Sequence, residues 1–303
     1  MIKRISYRGR RDIGAVFTDS FAYIRLNYKW LFLNLLLFAG GFMLAGQLIS
    51  GLVLGHGLGL TSAAVLMRGS IFVTSMLLVM FISLGVAGVV YMLVINKFIL
   101  LSETSDVAAQ PQPRQIAEGF FRDFWLLTGN IILFVIVMTL SAVLFYFVMI
   151  GVSEIVGTLV AALSLLVLFA LSPVLLFMMV AAFFVIQRDR LNLFSALAVV
   201  SRYLKGNFWN TWVLGFLAIL TYSLMSFVVQ LPAFVLKMKV IFKRGAEGFQ
   251  AEMTATELAV TVIGALLTML VAALFYLLCI FHFSSLEEKK EGHLLREKIS
   301  QIL

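Results

Sequence analysis

The sequence predicts an all-α polytopic membrane bundle. Six transmembrane helices form three hairpins, each preceded by a cytoplasmic interfacial amphipathic helix, in a pseudo-threefold repeat. Three observations predict it. Six long stretches, residues 30–67, 69–96, 124–153, 155–187, 206–236 and 258–286, contain no Asp, Glu, Lys or Arg. A span needs only about 20 apolar residues, because a helix rises ~1.5 Å per residue through a hydrocarbon core ~30 Å thick. Lys and Arg then gather on one side when these stretches are threaded alternately, and three similar segments stand before the odd-numbered spans. Composition agrees: 62% of residues are apolar, 13% are charged and the mean hydropathy is +1.06, whereas soluble domains are about a quarter charged.

The first span starts near Tyr28, too late for a signal-peptide core, so it is expected to be retained. Span one, 30–51, leads into a turn through Gly51, Gly55, Gly57 and Gly59, which keeps that connection pliable. Span two is 69–95. The inner loop 102–115 holds Pro111 and Pro113 and is expected to be irregular. Span three is 131–151. Span four, 155–187, runs to roughly 50 Å if straight, so it must tilt, kink or project. Pro173 breaks it, and the preceding Ser172 can satisfy a freed backbone group. Span five is 208–229 and span six 258–283. Ser284-Ser285-Leu286-Glu287-Glu288 reads as a capping box. The expected organisation is therefore one membrane domain, 1–286, with repeats of about 12–100, 114–187 and 191–286, and a cytoplasmic tail helix, 287–303.

Orientation follows from charge. With a cytoplasmic N-terminus, the inner side holds Lys3, Arg4, Arg8, Arg10, Arg11, Arg25, Lys29, Lys97, Arg114, Arg122, Arg188, Arg190, Arg202, Lys205, Lys289, Lys290, Arg296 and Lys298. The outer side holds Arg68, Lys237, Lys239, Lys243 and Arg244. Eighteen against five satisfies the positive-inside rule with both termini cytoplasmic. Four of the outer cations fall in the expected loop 232–256. Two readings of them stay open: a solvated loop with Glu247 and Glu252 as partners, or a contact for anionic headgroups or an acidic partner.

The three similar segments are 13–30, 116–133 and 193–210, aligned on Asn27, Asn130 and Asn207. Each has apolar residues at helical spacing: Ile13, Val16, Phe17, Phe21 and Ile24; Ile116, Phe120, Phe124 and Leu127; Leu193, Leu197, Val200 and Leu204. Such a helix lies in the headgroup plane. Asn tolerates the left-handed conformation that ends a helix, so each asparagine is expected to mark the turn from lying along the membrane to crossing it.

Catalytic chemistry has little to draw on. His56, His282 and His293 are scattered, Cys279 is alone, and no carboxylates pair within a span. No metal site and no cofactor are expected, and the chain is read as a non-enzyme. Intramembrane Asp, Glu, His or Arg usually marks ion pathways, and the mid-spans lack them. Thr221-Tyr222-Ser223 with Ser226 is the densest polar stripe; it reads either as interhelical hydrogen bonding or as a polar path. Candidate lipid or partner contacts are Arg8, Arg10, Arg11, Arg25, Arg188, Arg190, Lys237, Lys239, Lys243 and Arg244. Nucleic acid is not an expected partner, because the basic N-terminus adjoins the membrane.

Residues 194–217, FSALAVVSRYLKGNFWNTWVLGFL, carry Ala196, Leu197, Ser201, Leu204, Gly206, Asn207, Phe208 and Trp209 in a recognisable order. This pattern resembles six-span bacterial membrane proteins that include the membrane domain beside glycerophosphoryl diester phosphodiesterases. The resemblance implies a six-span architecture in a bacterial plasma (inner) membrane. No phosphodiesterase segment is present, so no catalytic residue carries over. Two functions are expected to compete: a scaffold or accessory subunit binding a protein partner or anionic lipid at the cytoplasmic face, and a carrier of a lipid or other hydrophobic molecule.

Overall fold

The computed structural model describes residues 9–46, 63–104, 110–156, 158–247 and 255–302. Every regular element among them is helical: α1 Ile13–Leu35, continued by a π-turn Leu36–Gly40, α2 Ala63–Thr104, α3 Pro113–Ala117, α4 Phe120–Val156, α5 Thr158–Asp189, α6 Leu193–Leu204, α7 Phe208–Glu247 and α8 Ala255–Ile302. Among the described residues, six segments are long and apolar enough to cross a membrane: Ile13–Gly46, Leu78–Glu103, Phe120–Phe147, Phe169–Asp189, Phe208–Leu236 and Ala259–Gly292. The chain is a multi-pass helical membrane protein. The Gly-rich turn after span one lies outside the described residues.

The expected in-plane helices need correction. In the first segment no turn occurs: α1 runs unbroken through Asn27. Neither Gly nor Pro interrupts Ala15 to Leu35, and Asn27 donates from Nδ2 to the Tyr23 carbonyl at 2.9 Å. In the second, Asn130 sits inside α4 and donates to the Leu126 carbonyl at 2.8 Å. The break comes earlier, at Gly119, whose φ is +64°. Among the described residues, the helix between α2 and this break is the five-residue α3, closed by a reciprocal Gln112–Gln115 capping box. Only in the third segment do a separate helix and a turn after it stand where they were expected. The twelve-residue α6 buries Leu193, Ala196, Val200 and Leu204, while Phe194, Ala198 and Arg202 stay exposed. It stops where Gly206 adopts φ +87°, a conformation a Cβ disfavours.

Two further boundaries differ. The expected outer loop 232–256 is helical as far as Glu247, because α7 carries Pro232 within it. The expected separate tail helix is the end of α8, which passes through Ser284 and Ser285 without a break. Ser285 serves a distant partner rather than a cap: its hydroxyl donates to the Arg11 carbonyl at 2.9 Å and accepts the Arg11 amide at 2.7 Å.

The fold resolves into two compact units. One comprises Met1–Asn27, Asn96–Leu220 and Leu274–Leu303; the other comprises Tyr28–Ile95 and Thr221–Ala273. In the second unit, Tyr91 donates to the Met269 carbonyl at 2.9 Å and Ser83 to the Phe42 carbonyl at 2.7 Å. These bonds tie spans that share no charge, as expected where lipid offers no hydrogen-bond partner.

In the first unit, Pro173 lies inside α5. Proline cannot donate to the carbonyl four residues back, which is that of Phe169. Ser172 Oγ donates to this carbonyl at 2.7 Å, as expected from the sequence. The neighbouring Ala170 carbonyl takes the Trp212 indole N–H at 2.6 Å. Trp212→Phe should therefore cost about 1 kcal/mol, the net worth of one such bond, read as a lower unfolding midpoint in detergent. An unchanged midpoint would show that the bond carries no weight.

Candidate functional site

The first unit gathers the charged ends of the spans. Among described residues, the cations assigned to the inner side fall in it, apart from Lys29. Most of the buried charge is paired. Asp123, near the start of α4, is 2% exposed. Its carboxylate meets Lys97 Nζ at 2.9 Å and Arg190 Nη1 at 2.5 Å. Lys97 also donates to the carbonyls of Ile116 and Glu118. One carboxylate on α4 thus joins α2 and the α5–α6 turn, and Lys97 extends the cluster to the α3–α4 turn. Arg190 has φ +58°, unusual for a residue with a Cβ, and its grip on Asp123 favours that conformation.

A second knot lies between α5 and α8. Arg188 makes a forked pair with Glu287, Nη1 to Oε2 at 2.7 Å and Nη2 to Oε1 at 2.8 Å. It also pairs with Asp189 at 2.9 Å and lies over the rings of Phe184 and Phe283. The α8 extension then grips α6: Lys290 donates to the Arg202 carbonyl at 2.9 Å and Tyr203 to Glu291 at 3.2 Å. Bidentate guanidinium–carboxylate pairs are the stronger kind. A double-mutant cycle on Arg188→Gln and Glu287→Gln should show a coupling of about 0.5–3 kcal/mol, the range for groups in contact; strict additivity would contradict the pair.

Tyr203 gives this region a pH signature. Burial first, then Glu291 and Glu287, pushes its hydroxyl from 10.0 up to about 12. A folded-state value above the unfolded one means the folded chain holds the proton more tightly. The contribution is therefore intact below pH 10 and is lost as pH rises towards about 12. Tyr203→Phe should flatten stability across that window, monitored by helicity; an identical alkaline profile would contradict it.

The three asparagines share one bond, from Nδ2 to the carbonyl four residues back, at 2.9 Å for Asn27, 2.8 Å for Asn130 and 3.5 Å for Asn207. Two of them also reach across. Asn130 Oδ1 accepts the Leu193 amide at 2.7 Å, and Asn207 Oδ1 accepts Lys289 Nζ at 3.0 Å. Asn130 therefore caps the start of α6 rather than ending its own helix.

A cavity of about 410 Å³ is bounded by the start of α1, the start of α7 and the end of α8, and Arg11, Asp12, Asn207, Asn210, His282 and Lys289 line it. Arg11 is braced by Asp19 at 2.6 Å and lies 5.0 Å over the Phe281 ring. His282 Nε2 is 3.0 Å from Thr211 Oγ1. Thr211 itself donates to the Asn207 carbonyl at 3.1 Å.

Of the sequence-predicted contacts, Arg11, Arg188 and Arg190 are engaged in ion pairs, while Arg10 and Arg25 are exposed. Arg8 lies outside the described residues. Lys237, Lys239, Lys243 and Arg244 fall within α7. In the second unit, Ser223 and Ser226 line a cavity of about 300 Å³ with Gln230; Thr221 and Tyr222 stand beside them on α7 without lining it. Sequence reasoning missed Asp123 as the hub and Glu287 as the partner of Arg188. Among the described residues, no group of three or more His, Cys, Asp or Glu could hold a metal ion. No family model, curated protein or solved structure matches the chain.

Proposed function

We propose that the chain is a non-enzymatic scaffold or accessory subunit of a bacterial plasma membrane. In this reading both termini are cytoplasmic, the spans form three hairpins in a pseudo-threefold repeat, and the basic face binds a membrane-protein partner or anionic lipid. The observation that carries it is the division of labour among the cations of the first unit. Lys97, Arg188 and Arg190 brace the helices through Asp123 and Glu287. Arg10, Arg25, Arg202 and Lys205 stay exposed on the same unit, where each near-surface cation is worth about 1 kcal/mol towards an anionic leaflet. The resemblance of residues 194–217 to the membrane domain beside glycerophosphoryl diester phosphodiesterases supports the same architecture. The test is Arg10→Glu, Arg25→Glu and Lys205→Glu combined, in the full chain. Co-purified partner or anionic lipid should fall sharply at an unchanged melting midpoint; full retention would overturn the reading.

A carrier of lipid or another hydrophobic molecule is the second reading. It is favoured by the cavity along α7, where Ser223, Ser226 and Gln230 stand on one helix face and Gln230 reaches Thr268 at 3.4 Å. In liposomes, Ser226→Leu should slow the exchange of a labelled lipid between leaflets; no exchange by the wild-type chain would remove this reading.

A further inference from the structure

We infer that the α7 cavity lined by Ser223, Ser226, Phe227, Gln230, Ala233 and Phe234 binds an uncharged lipid whose polar end is a hydroxyl, as in diacylglycerol. The inference deepens the carrier reading by naming the class of cargo, and rests on that reading only for the use of the cavity. The volume, about 300 Å³, lies at the lower end of the range of about 300–1,000 Å³ usual for small-molecule clefts. The lining residues share one face of α7: Ser223, Phe227, Gln230 and Phe234 recur at helical spacing, with Ser226 and Ala233 beside them. From Ser223 to Phe234 the helix rises ~16 Å, about half of a hydrocarbon core ~30 Å thick. The stripe starts near the middle of the span Phe208–Leu236 and ends close to Leu236, so the cavity occupies one leaflet. Phe227 and Phe234 are exposed within that span, which sets the rim of the cavity against acyl chains.

Depth and charge select the ligand. Gln230 and Ser223 lie roughly 9 and 20 Å along the helix from the end of the span at Leu236. None of the six lining residues is charged. A phosphate or carboxylate drawn to this depth would meet no cation on this wall, and an unpaired charge away from water is costly. A hydroxyl carries no charge and can follow its acyl chains this far.

Two groups on the wall suit that hydroxyl. Ser226 Oγ is shielded from solvent and has no hydrogen-bond partner among the described residues. Leaving a buried hydroxyl unpaired is costly, and a ligand in the cavity removes the cost. Gln230 Nε2 lies 3.4 Å from Thr268 Oγ1. The Thr268 hydroxyl donates to the Gly264 carbonyl at 2.8 Å, so its oxygen is the acceptor for Gln230. With Nε2 turned to Thr268, Gln230 offers Oε1 to a donor. Ser226 and Gln230 are four residues apart, with Cβ atoms ~6 Å from each other on a helix. One ligand hydroxyl can therefore accept from Ser226 and donate to Gln230. An ester or ketone oxygen only accepts and would leave Gln230 unanswered.

The test uses the full chain in nanodiscs of phosphatidylethanolamine and phosphatidylglycerol with a minor share of dioleoylglycerol, bound lipid being read by native mass spectrometry. Wild type should enrich dioleoylglycerol over its bulk share by about tenfold, because the phospholipids would bury an unpaired charge. Acetylating the dioleoylglycerol hydroxyl should cut retention about fivefold, the worth of one hydrogen bond. Ser226→Ala should cut it by a similar factor, while the melting midpoint without dioleoylglycerol stays the same or rises, since an unpaired buried hydroxyl has been removed. A purely structural Ser226 would leave retention unchanged. Gln230→Leu should lower retention of dioleoylglycerol and leave that of the acetylated form as it was. Displacement by oleyl alcohol supports the shared hydroxyl chemistry; retention of the alcohol with no dioleoylglycerol assigns the hydroxyl to a single-chain lipid. Retention in proportion to bulk, equal retention of the acetylated form, or undiminished enrichment in Ser226→Ala overturns the inference. So does a dimer that carries no hydroxyl lipid, which would give this face to a second copy of the chain. Retention without exchange of lipid between leaflets leaves the inference standing and removes the carrier reading, whereas exchange without retention does the reverse.

Discussion

Asp123→Asn should destabilise the chain by ~3 kcal/mol, the lower end of the cost of leaving a buried charge without its partner. The Asp123 carboxylate is almost wholly buried between Lys97, 11% exposed, and Arg190, 44% exposed. Solvent at Arg190 softens the penalty on that side, whereas Lys97, among the described residues, keeps only the neutral carbonyls of Ile116 and Glu118. Because this carboxylate ties α2, α4 and the α5–α6 turn, the loss should appear as one cooperative shift rather than local fraying. Denaturant unfolding in detergent, followed by circular dichroism, measures it. The double variant Asp123→Leu with Lys97→Met should recover part of the loss, since well-packed apolar residues can replace a buried pair. A shift within about 0.5 kcal/mol, as for ordinary surface changes, would show that the cluster is not a brace.

Gly215→Val should be the most disruptive single apolar substitution in the first unit. A Cβ at Gly215 would stand 2.8 Å from the Pro173 carbonyl oxygen and 3.1 Å from its carbon. The obstacle is backbone, which cannot swing aside as a side chain can. Overpacking in a tight core costs about 1–3 kcal/mol, and parting α5 from α7 adds the strain on the Trp212–Ala170 bond one turn away. A lower melting midpoint and changed Trp212 fluorescence should appear together. Gly85→Ala is the control, because a Cβ there meets nothing within 4 Å. Equal effects of the two substitutions would contradict the close approach.

The spans were legible because charge is so costly in lipid that its absence marks them. The Pro173 break and its relief by Ser172 were legible too, since both halves are adjacent in sequence. The turn after α6 was readable from Gly206. The turns expected at Asn27 and Asn130 were not there, because an asparagine amide can bond the carbonyl four residues back and stay within a helix. The ion pairs were hidden for a different reason. Arg190 and Asp123 are 67 residues apart, and Arg188 and Glu287 are 99 apart. Sequence places a cation at a membrane boundary but does not say which distant carboxylate it meets. The cavity at the entry to α1 was hidden likewise, since His282 and Lys289 read as isolated groups until α8 carried them to Asn207 and Arg11.

Native mass spectrometry of the full chain, released gently from its own membranes with bound lipids and proteins identified, tests the central claim most directly. The account predicts a stoichiometric protein partner or a specific phospholipid, either of them lost when Arg10, Arg25 and Lys205 are reversed in charge. A bare chain, or one that carries the bulk lipid mixture in proportion and loses nothing on charge reversal, would contradict it.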